Sequence, residues 1–297
     1  MATSLSNVFV IGAGGLIGSS IVSRDASTDS NNYNSATLDW GSIHSNDLYS
    51  ISKLIDQLKL AQINNDFPPY IIWAAGKTVV RANKANCDLE FYTTRLIIEK
   101  VLERISFNLI YLSSGGSLFN SSDIIRFEDA TPNPNSYYGE MKLRTENFLL
   151  ETFEHLSCKL SIVRLPNVYG AAQDKTKSQG LVTKLIELNT QDEFEPYFSL
   201  DSRKNYVSSQ DVGKFIRFIL SNREWMLKGN RVLHFPARNN AYSIGDIINL
   251  IKLYKEIKVR SSAMLSPDTV LLDSNIRDLY PFDLKLELSE FISQKLG

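Results

Sequence analysis

Tyr138 and Lys142 stand four residues apart in the segment Asn135-Ser136-Tyr137-Tyr138-Gly139-Glu140-Met141-Lys142, a spacing that puts both side chains on one face of a helix. An ammonium beside a phenol stabilises the phenolate and draws its pKa down from about 10 towards neutrality, so the phenol can exchange a proton with a hydroxyl or a carbonyl. The same spacing occurs on surface helices that do no chemistry. Its weight comes from a second pattern, Gly12-Ala13-Gly14-Gly15-Leu16-Ile17-Gly18, where glycines 12, 15 and 18 lie between an apolar run and a helical segment. Glycine admits φ > 0 in a turn, its missing side chain lets backbone approach a pyrophosphate, and the first turn of the helix supplies unpaired N–H donors. Gly12, Gly15, Leu16, Ile17 and Gly18 are therefore the candidate cradle for a dinucleotide. Asp39 follows Gly18 by about twenty residues, where a carboxylate accepts from both adenosine ribose hydroxyls and repels a 2′-phosphate. That favours NAD, with NADP as the alternative.

These residues need a scaffold. Val8-Phe9-Val10-Ile11 is short, apolar and β-branched, and reads as a buried parallel strand. Similar runs follow at Ala36 to Leu38, Tyr70 to Ala74, Leu109 to Leu112 and Leu160 to Val163, separated by helical patterns such as Leu48 to Leu60 and Leu89 to Ile105. Alternating strands and helices joined by right-handed crossovers imply an α/β fold with a doubly wound parallel sheet, the Rossmann arrangement. Residues 25–35 are polar and turn-forming, and read as a surface loop. Past Pro166 the rhythm loosens, with helical patterns near Asp211 to Leu220 and Ile244 to Tyr254. The expected organisation is a dinucleotide-binding domain over 1–165 and a mainly substrate-binding region over 166–297, with the helix near 211–220 packing back on the first domain. No internal repeat is visible.

Composition narrows the function classes. The chain has 297 residues, 43% hydrophobic and 22% charged, which suits a globular protein with a substantial core. With 32 basic against 33 acidic residues it offers no global attraction to nucleic acid or to an anionic membrane, so an anionic ligand must be met locally. Cys87 and Cys158 fit no metal or redox spacing and suit a reducing cytoplasm, and His44, His155 and His234 show no metal-ligand pattern. No apolar run approaches the ~18 residues that span a bilayer, and Met1 to Asn7 does not read as a signal peptide.

Taken together, the motifs resemble the extended short-chain dehydrogenase superfamily, specifically its NAD-dependent epimerase/dehydratase family acting on sugar nucleotides. The resemblance rests on Gly12-x-x-Gly15-x-x-Gly18, Trp73-Ala74-Ala75-Gly76, Leu112-Ser113-Ser114, and Tyr138-Gly139-x-x-Lys142 with Glu146 behind it. Arg164-Leu165-Pro166-Asn167-Val168-Tyr169-Gly170 and Arg203-x-x-Tyr206-Val207 followed by Asp211 extend it along nearly the whole chain. It implies that Tyr138 is the acid/base, that Lys142 binds the nicotinamide ribose and tunes Tyr138, and that a serine hydroxyl holds the reacting oxygen. Here the serine is ambiguous. The usual Tyr-Gly ending is Phe119-Asn120, and four residues before Phe119 stands Gly115; Ser114 is the first choice and Ser117 the alternative.

Further roles follow from the same resemblance. Ala74, Ala75 and Gly76 would line the cofactor, and Lys77 falls one residue from where 4-epimerases place a lysine near it. Asn167 and Arg203 would bind substrate, the guanidinium taking the diphosphate bidentately, with Gly180 and Leu181, preceded by Gln179, at the nucleotide. Arg95 stands where the family commonly has asparagine. Gly115-Gly116 replace the Asp-Glu that dehydratases carry after the active-site hydroxyl, which sets dehydration aside. The leading expectation is C4 epimerisation of a nucleotide-diphosphate sugar; the runner-up is reduction of a 4-keto-sugar, and a catalytically silent dinucleotide-binding protein is the third. Homodimerisation through Leu89 to Ile105 and Tyr138 to Phe153 is part of what the resemblance implies, and no metal is expected.

Overall fold

Four of the apolar runs become strands covered on both faces. A computed structural model of the chain describes residues 7–23, 33–36, 38, 43, 48–170, 180–222, 229–237, 241–260, 265–276, 279 and 287–297. In it β1 (Val8–Ile11), β3 (Tyr70–Trp73) and β6 (Leu160–Leu165) are buried along their whole length, and β4 (Asn108–Ser114) is buried up to its last residue. With β2 (Asn34–Ala36) and β10 (Arg231–His234) they form a six-stranded parallel sheet in the order β10-β6-β4-β3-β1-β2.

Alternation along the strands divides the core in two. Phe9, Ile11, Ile71, Trp73, Leu109, Tyr111, Leu160 and Ile162 meet the buried residues of helices Tyr49–Ile63, Lys84–Leu102 and Tyr137–Phe153. Val8, Val10, Ile72, Ile110, Leu112 and Val163 face the other way, against helices Leu16–Val22 and Ser209–Ser221. The second of these packs on the first, and Arg217 donates to the carbonyls of Ser20 and Ile21 at its C-terminal end (3.1 and 3.3 Å).

Boundaries moved where a partner or a cap decided them. Among the described residues the second strand covers Asn34–Ala36, so it begins two residues before the expected Ala36, where Asn34 pairs with Phe9 of β1. The helix expected from Leu89 starts at Lys84, where the Asn83 side chain accepts from the Asn86 amide at 2.9 Å. The helix expected from Asp211 starts at Ser209 and is capped by Ser208, whose hydroxyl accepts from the Asp211 amide at 3.1 Å.

The second half builds another sheet. Strands β11 (Ala241–Ser243), β9 (Arg203–Ser208), β13 (Val270–Leu272) and β5 (Ser122–Arg126) lie side by side, with β7 (Asn167–Tyr169) also pairing β9, while β8 (Glu193–Phe194) and β12 (Lys258–Val259) form a separate parallel pair. Helices Leu181–Glu187, Ile244–Lys252 and Leu288–Leu296 bury Leu185, Ile247, Ile251 and Phe291 against Tyr169 and Tyr206. The exchange runs both ways across residue 165: β5 comes from the first half to join this sheet, and β10 from the second half joins the other. Among the described residues no helix is long and apolar enough to cross a membrane.

Candidate active site

The chain leaves β1 for β2 on one side and returns across β1 to β3 on the other, so the crevice between the ends of β1 and β3 is the topological switch point where open α/β sheets take ligands. Both strands end there in small residues. The Ala74 amide donates to the Ile11 carbonyl at 2.9 Å, and Gly12 then turns with φ +88° against the Ala74-Ala75 backbone, where a Cβ would come within 2.8 Å of three backbone atoms. At Gly18 a Cβ would sit 2.1 Å from the Gly12 carbonyl oxygen, so the helix can close on the turn only with glycine there. Gly15 precedes the helix and donates its amide to the Gly12 carbonyl at 3.0 Å, while outside Gly14 the space is open. This bare backbone, with the first-turn amides of Leu16 and Ile17 behind it, fits a pyrophosphate. Asp39 lies outside the described residues, as does Gln179.

Tyr138 and Lys142 come from the first turns of helix Tyr137–Phe153, which Ser136 caps by accepting from the Gly139 amide at 3.1 Å. Lys142 points inward, 5% exposed, with Nζ 5.4 Å from the centre of the Tyr138 ring. It donates to the Tyr111 hydroxyl from β4 and to Oε1 of Glu90, both at 3.4 Å. Burial works against the ammonium, but Tyr111, Tyr138 and Glu90 outweigh it and hold its pKa well above the ordinary lysine value. Burial likewise opposes the Glu90 carboxylate, yet Lys142 and the hydrogen bonds from Thr78 and Lys77 bring its pKa below the usual range. Tyr111 is pushed up by burial and stays a neutral phenol.

Glu90 and Tyr111 were not among the residues singled out from sequence. The available signal was a carboxylate inside the buried stripe Cys87, Phe91, Thr94, Ile97 of the Lys84–Leu102 helix. Arg95, read as a departure from the family, lies on the opposite, exposed face and pairs with Glu99 at 2.8 Å. Lys77 presents its amide to Glu90 at 2.7 Å, and its side chain is exposed.

The two candidate serines sit at the end of β4 and in the 3-10 turn Gly115–Ser117 that follows it. Gly139 lets this turn press on the helix beside Tyr138: a Cβ there would fall 2.1 Å from the Ser117 carbonyl oxygen. The Ser117 hydroxyl donates to the Ser114 carbonyl at 3.2 Å, whereas among the described residues the half-buried Ser114 hydroxyl has no hydrogen-bond partner. Ser113, its neighbour, is buried and its Oγ is unpartnered too, on the face of the sheet that carries Tyr111.

One turn beyond Lys142, Glu146 takes the Arg164 guanidinium of β6 through Nε (3.2 and 3.1 Å) and Nη2 (2.7 Å), and Arg164 Nη1 lies 3.4 Å from His234 Nε2. His234 Nδ1 faces the carbonyls of Arg126 and Asp273, both at 3.1 Å, so that nitrogen carries the proton and Nε2 accepts from Arg164. This buried network anchors the helix that carries Tyr138 to the strand that leads to Asn167.

The remaining candidates line the second half. Gly170 packs against Leu16, where a Cβ would meet the Leu16 side chain at 2.9 Å, so the Asn167–Gly170 segment abuts the glycine cradle. Gly180, at φ +92°, starts the helix of Leu181. Arg203 does not lie beside Asn167: the β7–β9 register puts Tyr206 opposite Asn167, leaving Arg203 about 10 Å further along the strand. Arg203 is exposed and donates to the Ala241 carbonyl at 3.1 Å, while its neighbour Lys204 pairs with Asp268 at 2.6 Å. A contact unforeseen from sequence crosses between the halves, the Arg81 guanidinium 3.0 Å over the Tyr197 ring.

Known proteins share parts of the sequence and the fold. A 128-residue stretch is 26% identical to dTDP-4-dehydro-6-deoxyglucose reductase of Escherichia coli, spanning 43% of this chain and 40% of that one. The whole fold is similar to UDP-glucose 4-epimerase of Thermus thermophilus in complex with NAD (TM-score 0.74, 17% identity, 97% of this chain and 96% of that one). It is also similar to MoeE5 in complex with UDP-glucose and NAD (TM-score 0.74, 19% identity, 97% of both chains) and to a dTDP-4-dehydrorhamnose reductase of Clostridium acetobutylicum (TM-score 0.69, 18% identity, 97% of both chains). The model of the NAD dependent epimerase/dehydratase family matches residues 8–233, and the chain belongs to that family of NAD-dependent enzymes.

Proposed function

We propose that the protein catalyses epimerisation at C4 of a nucleotide-diphosphate sugar. The observation that carries this reading is the buried Lys142 ammonium held under Tyr138 at the edge of a glycine cradle built to admit a pyrophosphate. Bound at the glycine cradle, NAD would supply reversible hydride-transfer chemistry at the sugar carbon. Tyr138 moves the accompanying proton to and from the sugar oxygen, and Lys142 supplies the positive charge that makes phenolate accessible. Ser114 donates to the same oxygen; its hydroxyl is free to do so, whereas that of Ser117 is committed to a carbonyl.

Gly12, Gly15, Leu16, Ile17 and Gly18 hold the dinucleotide, with Ala74, Ala75, Gly76 and Lys77 along one wall and Asp39 assigned to the adenosine ribose. Residues 1–165 thus serve mainly the cofactor, and 166–297 mainly the substrate. Asn167, Gly180 and Leu181 are assigned to the sugar nucleotide, and Arg203 to its diphosphate, since the guanidinium has donors beyond the one given to Ala241. The 4-epimerases among the similar structures act on UDP-sugars, which supports this substrate class.

A second reading, reduction of a nucleotide-diphosphate 4-keto-sugar, is favoured by the partial sequence match to the Escherichia coli reductase. Incubation of the purified protein with nucleotide-diphosphate hexoses and no added reductant, and separately with a nucleotide-diphosphate 4-keto-sugar and NADH or NADPH, each followed by NMR, separates the two. Appearance of the C4 epimer supports the first reading; turnover only of a keto-sugar with stoichiometric loss of NADH or NADPH replaces it with the second. We also propose a homodimer through helices Lys84–Leu102 and Tyr137–Phe153. Light scattering is expected to give twice the 33.5 kDa chain mass, and a monomer mass excludes the dimer.

A further inference from the structure

Glu90 is 5% exposed and uses both carboxylate oxygens. Oε2 accepts from the amides of Lys77 and Thr78, each at 2.7 Å, and from the Thr78 hydroxyl at 2.8 Å. Oε1 takes Lys142 Nζ at 3.4 Å. The Lys77-Thr78 segment directly continues Ala74-Ala75-Gly76, whose backbone forms the wall against which Gly12 turns. One buried carboxylate therefore ties the wall of the dinucleotide cradle to the ammonium under Tyr138.

We propose that Glu90 is a positioning residue for Lys142, fixing the ammonium to the cradle wall and setting the net charge under which Tyr138 exchanges its proton. The proposal rests on the assignment of Tyr138 and Lys142 made above. The titratable groups facing Lys142 are Glu90 and Cys87 from helix Lys84–Leu102, Tyr111 from β4, and Tyr138 from its own helix. Of these Glu90 is the acid whose charged form the surroundings favour, whereas burial raises both the Cys87 thiol and the Tyr111 phenol. Three short hydrogen bonds from the Lys77-Thr78 segment hold the carboxylate. The lysine contact, by contrast, is long and leaves one ammonium proton for a ligand, since two of its three are given to Glu90 and Tyr111.

Removing the negative charge makes the first proton easier to take from the Tyr138–Lys142 pair, whichever member loses it. NMR titration of protein carrying isotope-labelled tyrosine and lysine, with Tyr138→Phe and Lys142→Met to assign the signals, reads that step directly. In Glu90→Gln the step is expected to fall by about one pH unit or more. The link to the cradle is read by NAD affinity: Glu90→Ala, which loses the loop bonds, is expected to bind about tenfold more weakly, with part of the loss restored in Glu90→Gln, whose amide oxygen still accepts from the loop. A titration step unchanged in Glu90→Gln, or NAD affinity unchanged in Glu90→Ala, overturns the proposal. Neither measurement uses a sugar, so a failed sugar-nucleotide assignment leaves both interpretable.

Discussion

Two buried ion pairs hang from one helix, a single turn apart, and they are built differently. Glu146 grips Arg164 in a forked arrangement with contacts of 2.7 to 3.2 Å, backed by a neutral histidine. Lys142 reaches Glu90 at 3.4 Å, a single contact whose anionic partner is held in place by other groups. The first pair engages both carboxylate oxygens and all three guanidinium nitrogens, counting the histidine, and belongs to the scaffold. The second leaves its cation underused beside Tyr138 and the cradle, as expected of a charge that must also serve a ligand. A buried ion pair is therefore informative through what remains unsatisfied in it.

The largest expected effect comes from breaking the tight pair. Arg164→Ala leaves Glu146 as an uncompensated buried charge and should lower unfolding free energy by about 3–5 kcal/mol, measured by urea titration. A loss near zero would show that the pair is not a scaffold element. Lys142→Met should do the reverse: turnover falls by about 10²–10⁴-fold, while stability falls less than in Arg164→Ala because Glu90 keeps its loop bonds. If Lys142→Met were the less active and also the less stable of the two, the division of labour between the pairs would be wrong.

Much of this was visible in the chain beforehand, and the limits have a common cause. The glycine loop and the Tyr138–Lys142 spacing are local patterns, legible because the chemistry demands a fixed separation along one turn or one helix face. Four parallel strands were legible from apolar runs covered on both faces. Glu90 and Tyr111 were not, since they lie 52 and 31 residues from Lys142 and meet it only through the order of the sheet. The second sheet escaped for the same reason: β9 (Arg-Lys-Asn-Tyr-Val-Ser) is mixed in polarity, and β5 exposes Ile124 and Ile125 instead of burying them. The position of Arg203 three residues along β9 from the partner of Asn167 was likewise set by sheet register, which no local pattern encodes.

Smaller effects sharpen the comparison. Ser114→Ala should reduce turnover by about tenfold or more, and Ser117→Ala should reduce it less, because the Ser117 hydroxyl is already given to a carbonyl. The opposite ranking in kcat would move the role to Ser117. At the tight pair, burial and then the Arg164 cation hold the His234 pKa below its ordinary 6.5, against the opposing pull of Glu128 and the two carbonyls. The unfolded chain therefore takes up a proton below about pH 6.5 that the folded one refuses, and stability falls as pH drops through that range. Glu128 adds a second loss at lower pH: burial opposes its charge, but hydrogen bonds from Ser274, Asn275 and His234 hold its pKa below 4.5. Urea midpoints between pH 7.5 and 5.5, roughly spanning the unfolded-state value, should decline in the wild type and flatten in His234→Gln. Equal slopes would remove His234 from the explanation.

The central claim, that Tyr138 moves the proton while NAD-linked chemistry occurs at a sugar carbon, is tested most directly by comparing wild type and Tyr138→Phe on nucleotide-diphosphate hexoses by NMR. Wild type should form the C4 epimer, and Tyr138→Phe, with fold and NAD binding intact, should lose about 10²-fold or more of that rate. Equal turnover by the two proteins would contradict the assignment.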